Sequence, residues 1–175
     1  MNKKSSSKVC SLPSAIRSLR SCKLIVFDFD GVMTDNRVLV FEDGKEAVFC
    51  NRSDGIGADI LRKKGFSLLI LSTETNRVVK ARADKLQMPV LFGIKNKKEA
   101  LKKYCKDNGF DMKQACFVGN DLNDVEVMES VGLPVCSADA YPEVKKIAKL
   151  ITDACGGEGV VRELAMHLCQ DGKSA

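Results

Sequence analysis

Leu24-Ile25-Val26-Phe27-Asp28-Phe29-Asp30-Gly31-Val32-Met33-Thr34 is an apolar run that stops abruptly at two aspartates one residue apart, then continues through Gly to a Thr. A short run of aliphatic and aromatic residues closed by Gly predicts a buried strand. Such a strand has no structural reason to end in two carboxylates, because Asp is rarely buried without a partner. At the carboxyl end of a parallel strand, where open α/β sheets bind ligands, the pair makes chemical sense. One carboxylate can attack a phosphorus atom and hold Mg²⁺ while the other shuttles a proton. The alternative is a pair that only caps a loop.

Outward from this stretch, apolar strands alternate with amphipathic helices. Strands are predicted at 24–29, 67–71, 89–92, 115–118, 133–136 and 149–151, and helices at 54–64, 76–87, 97–108, 122–131, 142–148 and 159–170. Segment 97–108 shows the helical period well, with Ala100, Leu101, Tyr104 and Cys105 on one face and Lys and Asp opposite. The rhythm predicts an α/β fold, a three-layer doubly wound parallel sheet covered on both faces. One segment departs from it. Arg37–Phe41 and Glu46–Cys50 flank Glu42-Asp43-Gly44-Lys45, and Asp-Gly is a strong hairpin signal. A β-hairpin flap at about 36–50 is therefore expected over the Asp pair, with no insertion long enough for a separate cap domain. Residues 1–22 read as an extension, Ser- and Lys-rich and then a short helix after Pro13. Residues 23–170 read as the domain, and 171–175 as a tail.

Three further features fall at predicted strand ends. Ser72 ends the run Ser67–Leu71, where a hydroxyl beside backbone N–H groups can bind phosphoryl oxygens; Ser also commonly ends strands, and Thr75 or Asn76 is a candidate cap for the next helix. Lys98 opens a helix after Leu91-Phe92-Gly93 and can neutralise phosphoryl charge, but composition alone does not separate it from Lys95, Lys97, Lys102 and Lys103. Gly119-Asn120-Asp121-Leu122-Asn123-Asp124 follows the run 115–118 and can supply the hard oxygen ligands that Mg²⁺ takes; Asp121 and Asp124 also suit a helix N-terminus. After Ser72 come Thr73 and Glu74, and then Arg82 and Lys85, which share a helix face. Two cations there suit an anion such as a sugar carboxylate, or they belong to a solvated face paired with Asp84 and Glu74. Arg52 and Arg162 are further anion-contact candidates, or surface ion-pair residues.

Bulk properties narrow the class. The 175 residues favour one domain with a sizeable core; 45% are hydrophobic and 29% charged, as in soluble globular proteins. The net charge of +5 lies partly in the first residues and gives no nucleic-acid footprint. No apolar run approaches the ~20 residues of a membrane span, and the N-terminus lacks the apolar core of a signal peptide. The eight cysteines form no C-x₂-C pair, and His167 is the single histidine, so a reducing cytoplasm is expected over a disulfide framework.

Taken in order, Asp28-Phe29-Asp30-Gly31-Val32, Ser72, Lys98 and Gly119–Asp124 resemble the four motifs of the haloacid dehalogenase superfamily of phosphatases. The flap without a cap, Arg52-Ser53-Asp54-Gly55 and Gly156–Glu163 resemble its 3-deoxy-octulosonate 8-phosphate phosphatase branch and the sialic-type nine-carbon relatives. That resemblance implies Asp28 as nucleophile, forming an aspartyl-phosphate, and Asp30 as the proton shuttle. It implies Ser72 and Lys98 as holders of the phosphoryl group. Mg²⁺ would be held by Asp28, Asp30, Asn120 and Asp121, with Asp124 behind them. Arg52, Asp54, Thr73, Glu74, Arg82, Lys85 and Arg162 are implied as contacts to a sugar phosphate. The Glu74-Arg82-Lys85 set resembles the nine-carbon members, with octulosonate 8-phosphate close behind. The resemblance further implies a homotetramer, with the Gly156–Arg162 segment approaching a substrate pocket. One departure stands out: Asn120 occupies the place where the family usually has Asp.

Two other readings compete. A receiver domain also phosphorylates an Asp in a doubly wound fold, but on an interior strand after an earlier acidic pair. A catalytically weak oligomerisation or regulatory domain is motivated by Asn120 and predicts normal folding with negligible turnover.

Overall fold

The structure, a computed structural model, describes residues 12–169. Residues 1–11 of the expected extension at 1–22, and the expected tail at 171–175, lie outside these residues. The first described element is helix α1 (Leu12–Ser21), which buries Ala15 and Leu19 in the same core as the first strand.

Six strands form one parallel sheet: β1 (Leu24–Phe27), β4 (Ser67–Leu71), β5 (Val90–Leu91), β6 (Ala115–Gly119), β7 (Leu133–Cys136) and β8 (Leu150–Ile151). Their spatial order is β5-β4-β1-β6-β7-β8. β1 pairs with β4 on one side and with β6 on the other, so the chain moves outward from β1 to β5 and then returns to build the other half. The strand order reverses at β1, and the crevice beyond its carboxyl end is where doubly wound sheets bind ligands.

The predicted layers follow from side-chain alternation along the strands. From β1, Ile25 and Phe27 join one core with α1, α2 (Ser53–Lys63), α3 (Val78–Leu86) and α7 (Val160–His167). Leu24 and Val26 join the other with α4 (Lys97–Asn108), α5 (Val125–Ser130) and α6 (Pro142–Ile147). Both faces of the sheet are thus dry, which is why its strands read as continuous apolar runs.

Element boundaries shift where side chains compete for the backbone. β1 stops at Phe27 because the chain then turns: Met33 N and Thr34 N both donate to Phe29 O, at 2.9 and 3.2 Å. The predicted helix 76–87 starts at Val78, where Asn76 Oδ1 accepts from Val78 N at 3.0 Å. The predicted helix 122–131 is split into a 3₁₀ turn, Leu122–Asp124, and α5. Asp121 and Asp124 there bond to each other's backbone N–H groups as reciprocal caps.

The hairpin forms with shorter strands than expected, β2 (Leu39–Val40) and β3 (Glu46–Ala47), plus an isolated bridge between Thr34 and Cys50. It rises beside the Asp28–Thr34 loop and is fastened to the segment before α3 by Asn76 Nδ2, which donates to Glu46 Oε2 at 2.8 Å.

Candidate active site

Asp28 leaves the end of β1 between β4 and β6, its N–H donating to Val118 O at 2.9 Å. The residue is 4% exposed. Its Oδ1 accepts from Phe29 N at 2.7 Å and lies 2.8 Å from a lysine ammonium.

That lysine is Lys97, which corrects the choice of Lys98. Lys97 Nζ bridges Asp28 Oδ1 at 2.8 Å and Asp124 Oδ1 at 2.7 Å, and all three side chains are buried. Lys98 is only half-buried at the surface and pairs with Glu126 at 3.0 Å. The reason is helical phase. Asn96 caps α4, accepting from Glu99 N at 3.0 Å, so Lys97 is the first helical residue. Lys97, Leu101 and Cys105 are spaced by four and form the buried face of α4. The four-residue spacing to Leu101 was the signal in the sequence; Lys98 instead shares the solvent face with Lys102.

With both carboxylates ionised, this enclosed trio would carry a net negative charge, since one ammonium faces two acids. Burial, followed by the charge of Asp124, pushes the Asp28 carboxyl up to about 8, against the pull of Lys97. Lys97 is itself held above the ordinary lysine value: burial lowers it, but the charges of Asp28 and Asp124 outweigh that. The ammonium therefore stays charged, and the site favours a second cation beside Asp28.

Asp30 sits two residues on, partly buried, where Thr34 Oγ1 donates to its Oδ1 at 3.4 Å. Burial and the nearby Glu74 carboxylate raise its pKa, which suits a group that gives up a proton and takes one back. Gly31 follows with φ +75°, and a Cβ there would lie 1.8 Å from Asn120 Nδ2, so only glycine lets the two loops meet. The turn is held from behind. Ser137 Oγ donates to Gly31 O at 3.2 Å, and Gly157 N donates to Val32 O at 3.1 Å. Gly156 lies so close that a Cβ would be 2.3 Å from Gly31 O. The Gly156–Gly159 loop thus buttresses its own protomer's Asp30 turn.

Ser72 ends β4, buried, with Oγ accepting from Glu74 N at 3.0 Å, which leaves its O–H as a donor toward the crevice. Asn120 ends β6. Its Oδ1 is buried and has no hydrogen-bond partner, which an amide oxygen does not tolerate in a dry site unless something else occupies it. Among the described residues no three His, Cys, Asp or Glu side chains could by themselves hold a metal ion. A donor set must therefore mix carboxylate, amide and backbone oxygens, the hard ligands that suit Mg²⁺. The orphaned Asn120 oxygen and a buried Asp28 carboxyl whose ionised form lacks full compensation both fit a divalent cation. Asp121 Oδ1 is engaged with Leu122 N at 2.6 Å. Asp124, expected behind the metal ligands, accepts from Asn120 N at 2.9 Å and Asp121 N at 3.3 Å while binding Lys97.

The expected substrate contacts separate into three groups. Glu74 lines a cleft of about 250 Å³ together with Asp30 and the hairpin. Its Oε1 caps the next segment, accepting from Thr75 N at 2.6 Å and Asn76 N at 2.7 Å. Thr73 stands exposed at the rim, its Oγ1 accepting from Asn123 Nδ2 at 3.3 Å. Arg52, Arg82 and Lys85 line a different hollow, of about 440 Å³, and Arg82 Nη2 is committed to Asn51 O at 2.6 Å. Asp54 departs from expectation: it is fully buried at the α2–α7 seam, where Oδ1 accepts from Arg162 N at 3.4 Å. It is placed to hold α7 rather than to touch a substrate, because it begins α2 on the face that packs on that helix. Arg162 is half-buried at the same seam, with Nη1 unpartnered.

A six-stranded doubly wound sheet with Asp28, Ser72, Lys97 and an oxygen-rich loop at its switch point defines a phosphoryl-transfer enzyme of the α/β class. Residues 74–164 match the family model described as haloacid dehalogenase-like hydrolase. The chain is 31% identical over 150 residues to "3-deoxy-D-manno-octulosonate 8-phosphate phosphatase KdsC" of Escherichia coli (strain K12), covering 85% of this chain and 80% of that protein. A putative HAD family hydrolase from Streptomyces avermitilis superimposes with TM-score 0.84 at 44% identity, over 87% of this chain and 88% of that one. The 3-deoxy-D-manno-octulosonate 8-phosphate phosphatase of Moraxella catarrhalis, solved with magnesium ion, phosphate ion and KDO, superimposes with TM-score 0.85 at 25% identity, over 89% and 91%. The chain belongs to the haloacid dehalogenase-like hydrolase family. Within it the chain is a phosphoric monoester hydrolase.

Proposed function

We propose that the chain is a Mg²⁺-dependent phosphatase that hydrolyses the terminal phosphate of a 2-keto-3-deoxy sugar acid. The observation that carries this reading is the buried Asp28–Lys97–Asp124 trio beside Asp30, where Asp30 opens onto a cleft large enough for a polar leaving group. The names of the octulosonate phosphatases it resembles support the substrate class. The Glu74-Arg82-Lys85 set supports a nine-carbon acid, though within one protomer Glu74 and the two cations line different hollows.

In this mechanism an Asp28 oxygen attacks phosphorus and the sugar oxygen departs, taking its proton from Asp30. Asp30 then accepts a proton from the water that attacks the aspartyl-phosphate, restoring Asp28 and releasing phosphate. Lys97 and the Ser72 hydroxyl hold phosphoryl oxygens and offset charge as the transfer proceeds. The Asp28 carboxylate, the Asp30 backbone carbonyl, the Asn120 amide oxygen and Asp121 would hold Mg²⁺. When bound, the ion keeps Asp28 ionised and weakens repulsion between it and the phosphate.

The same reading makes the protein a cytoplasmic homotetramer. The hairpin supports self-association, with Val38, Leu39, Val40, Phe41 and Phe49 all well exposed, Phe49 at 74%. Among the described residues no helix is long and apolar enough to cross a membrane.

Phosphate release measured with Mg²⁺ over a panel of phosphorylated eight- and nine-carbon sugar acids tests the function. Activity that EDTA removes, and that Asp28→Asn lowers by about 10³-fold or more, is expected. A folded protein inert on every ester would instead favour the regulatory-domain reading, which the loss of a carboxylate at Asn120 motivates.

A further inference from the structure

Behind the Asp30 turn, the chain between β8 and α7 runs as an arc whose backbone is held by side chains. Glu163 accepts from two successive residues: Asp153 N donates to Oε1 at 2.9 Å and Ala154 N to Oε2 at 2.7 Å. Asp139 holds the next bend, its Oδ1 accepting from Gly156 N at 2.9 Å. Ala154 O is engaged as well, accepting from Ala138 N at 3.0 Å and from Thr152 Oγ1 at 2.8 Å. Glu163 stands in the first turn of α7, and its side chain is only 17% exposed. Withdrawing a carboxylate from water is costly unless its oxygens are satisfied. Here the arc satisfies both, and His167 Nε2 lies 3.2 Å from Oε1.

The arc reaches Asp30 through Thr34. A Cβ on Gly156 would lie 2.8 Å from Thr34 O, and one on Gly157 would lie 2.7 Å from Thr34 C and 2.5 Å from Asp35 N. Backbones packed this closely cannot shift independently. Thr34 Oγ1 in turn accepts from Gly31 N at 3.3 Å and donates to Asp30 Oδ1 at 3.4 Å. The place of the Asp30 carboxyl is thus tied to the arc, and the place of the arc is set by two carboxylates that touch neither Asp30 nor Asp28.

We propose that Glu163 and Asp139 are positioning residues for proton transfer at Asp30: they clamp the arc, the arc fixes Thr34, and Thr34 holds the Asp30 carboxyl toward the departing oxygen. The role of Asp30 in this rests on the phosphatase reading; the hold of the arc on the turn does not.

Two esters separate this role from general support of the fold. A sugar oxygen needs a proton as it departs, whereas p-nitrophenolate leaves without one. Wild type, Glu163→Gln and Asp139→Ala are compared at saturating Mg²⁺ on p-nitrophenyl phosphate and on the sugar acid phosphate that wild type hydrolyses fastest. Glu163→Gln keeps the size and one acceptor oxygen but turns an amide NH₂ toward a backbone N–H. Asp139 is exposed, so its truncation leaves the core untouched. In both variants kcat/KM for the sugar ester should fall about 10- to 100-fold, as for a misplaced catalytic group, while that for the aryl ester stays within about threefold. Equal losses on the two esters, or no loss on the sugar ester, overturn the proposal. Amide hydrogen exchange needs no turnover. The N–H groups of Met33, Thr34 and Gly157 should exchange about tenfold faster or more in the variants, with those of β1 unchanged. Exchange as slow as in wild type would remove the clamp. If wild type hydrolyses no ester while the variants exchange faster, the phosphatase reading falls and the clamp on the Asp30 turn stands.

Discussion

A lysine one position away from another has an entirely different environment in this protein. Lys97 is enclosed between two carboxylates, whereas Lys98 points to solvent and meets Glu126. Removing the first leaves two buried carboxylates without their counterion, and breaking a buried pair in this way costs about 3–5 kcal/mol. Removing the second breaks an exposed pair worth about 0.2–1 kcal/mol. Lys97→Met, which keeps most of the apolar stem, should therefore lower the denaturation midpoint clearly and cut phosphate release by about 10²-fold or more, since it deletes a donor to the phosphoryl group. Lys98→Ala should match wild type in both measurements. The opposite ranking would return the role to Lys98.

Helices α2 and α7 pack directly against each other, and Asp54 lies in their seam. Burial raises its carboxyl from the ordinary 3.8 to about 6, against the pull of the Arg162 N–H and the Arg82 charge. Between these two values the folded protein keeps a proton that the unfolded chain has released. Stability from this group is thus fully present below about pH 4 and is lost as pH rises through about 6. Each tenfold change in proton affinity is worth ~1.4 kcal/mol, so the cost at pH 7 is about 3 kcal/mol. Asp54→Asn, which cannot titrate and retains an oxygen for Arg162 N, should unfold at higher denaturant than wild type at pH 7. It should show no such advantage at pH 4. Urea titrations at the two pH values measure the difference; a gap that does not close on acidification would mean the carboxyl is not titrating in the seam.

At the scale of the molecule, the strands of the sheet are buried between the helices, while the hairpin leaves a cluster of large apolar side chains exposed. Val40 is 60% exposed and Phe49 is 74% exposed, beside strands only two residues long. Isolated two-stranded ribbons of that length are marginal in water, so a partner surface would stabilise this one. Light scattering should find an assembled wild type. The double variant Val40→Asp/Phe49→Asp should shift to monomers without losing helical circular dichroism, because neither side chain contributes to the domain core. A monomeric wild type at micromolar concentration would sink the assembly.

Periodicity and the two aspartates at the end of an apolar run were enough, from sequence, for the parallel sheet, its two covered faces, the flap and the places of Asp28, Asp30, Ser72 and the Gly119–Asp124 loop. Those features are local: a strand buried on both faces must be apolar throughout, and carboxylates at its end stand out against that background. Four neighbouring lysines, by contrast, look alike until the Asn96 cap sets the phase of α4 and turns one of them toward Asp28. That Asp54 packs in the seam between α2 and α7 also depended on contacts between segments far apart in the chain. The tertiary structure decided these because burial and charge pairing are properties of the packed neighbourhood, and a charged side chain carries the same letter whether water or another helix surrounds it.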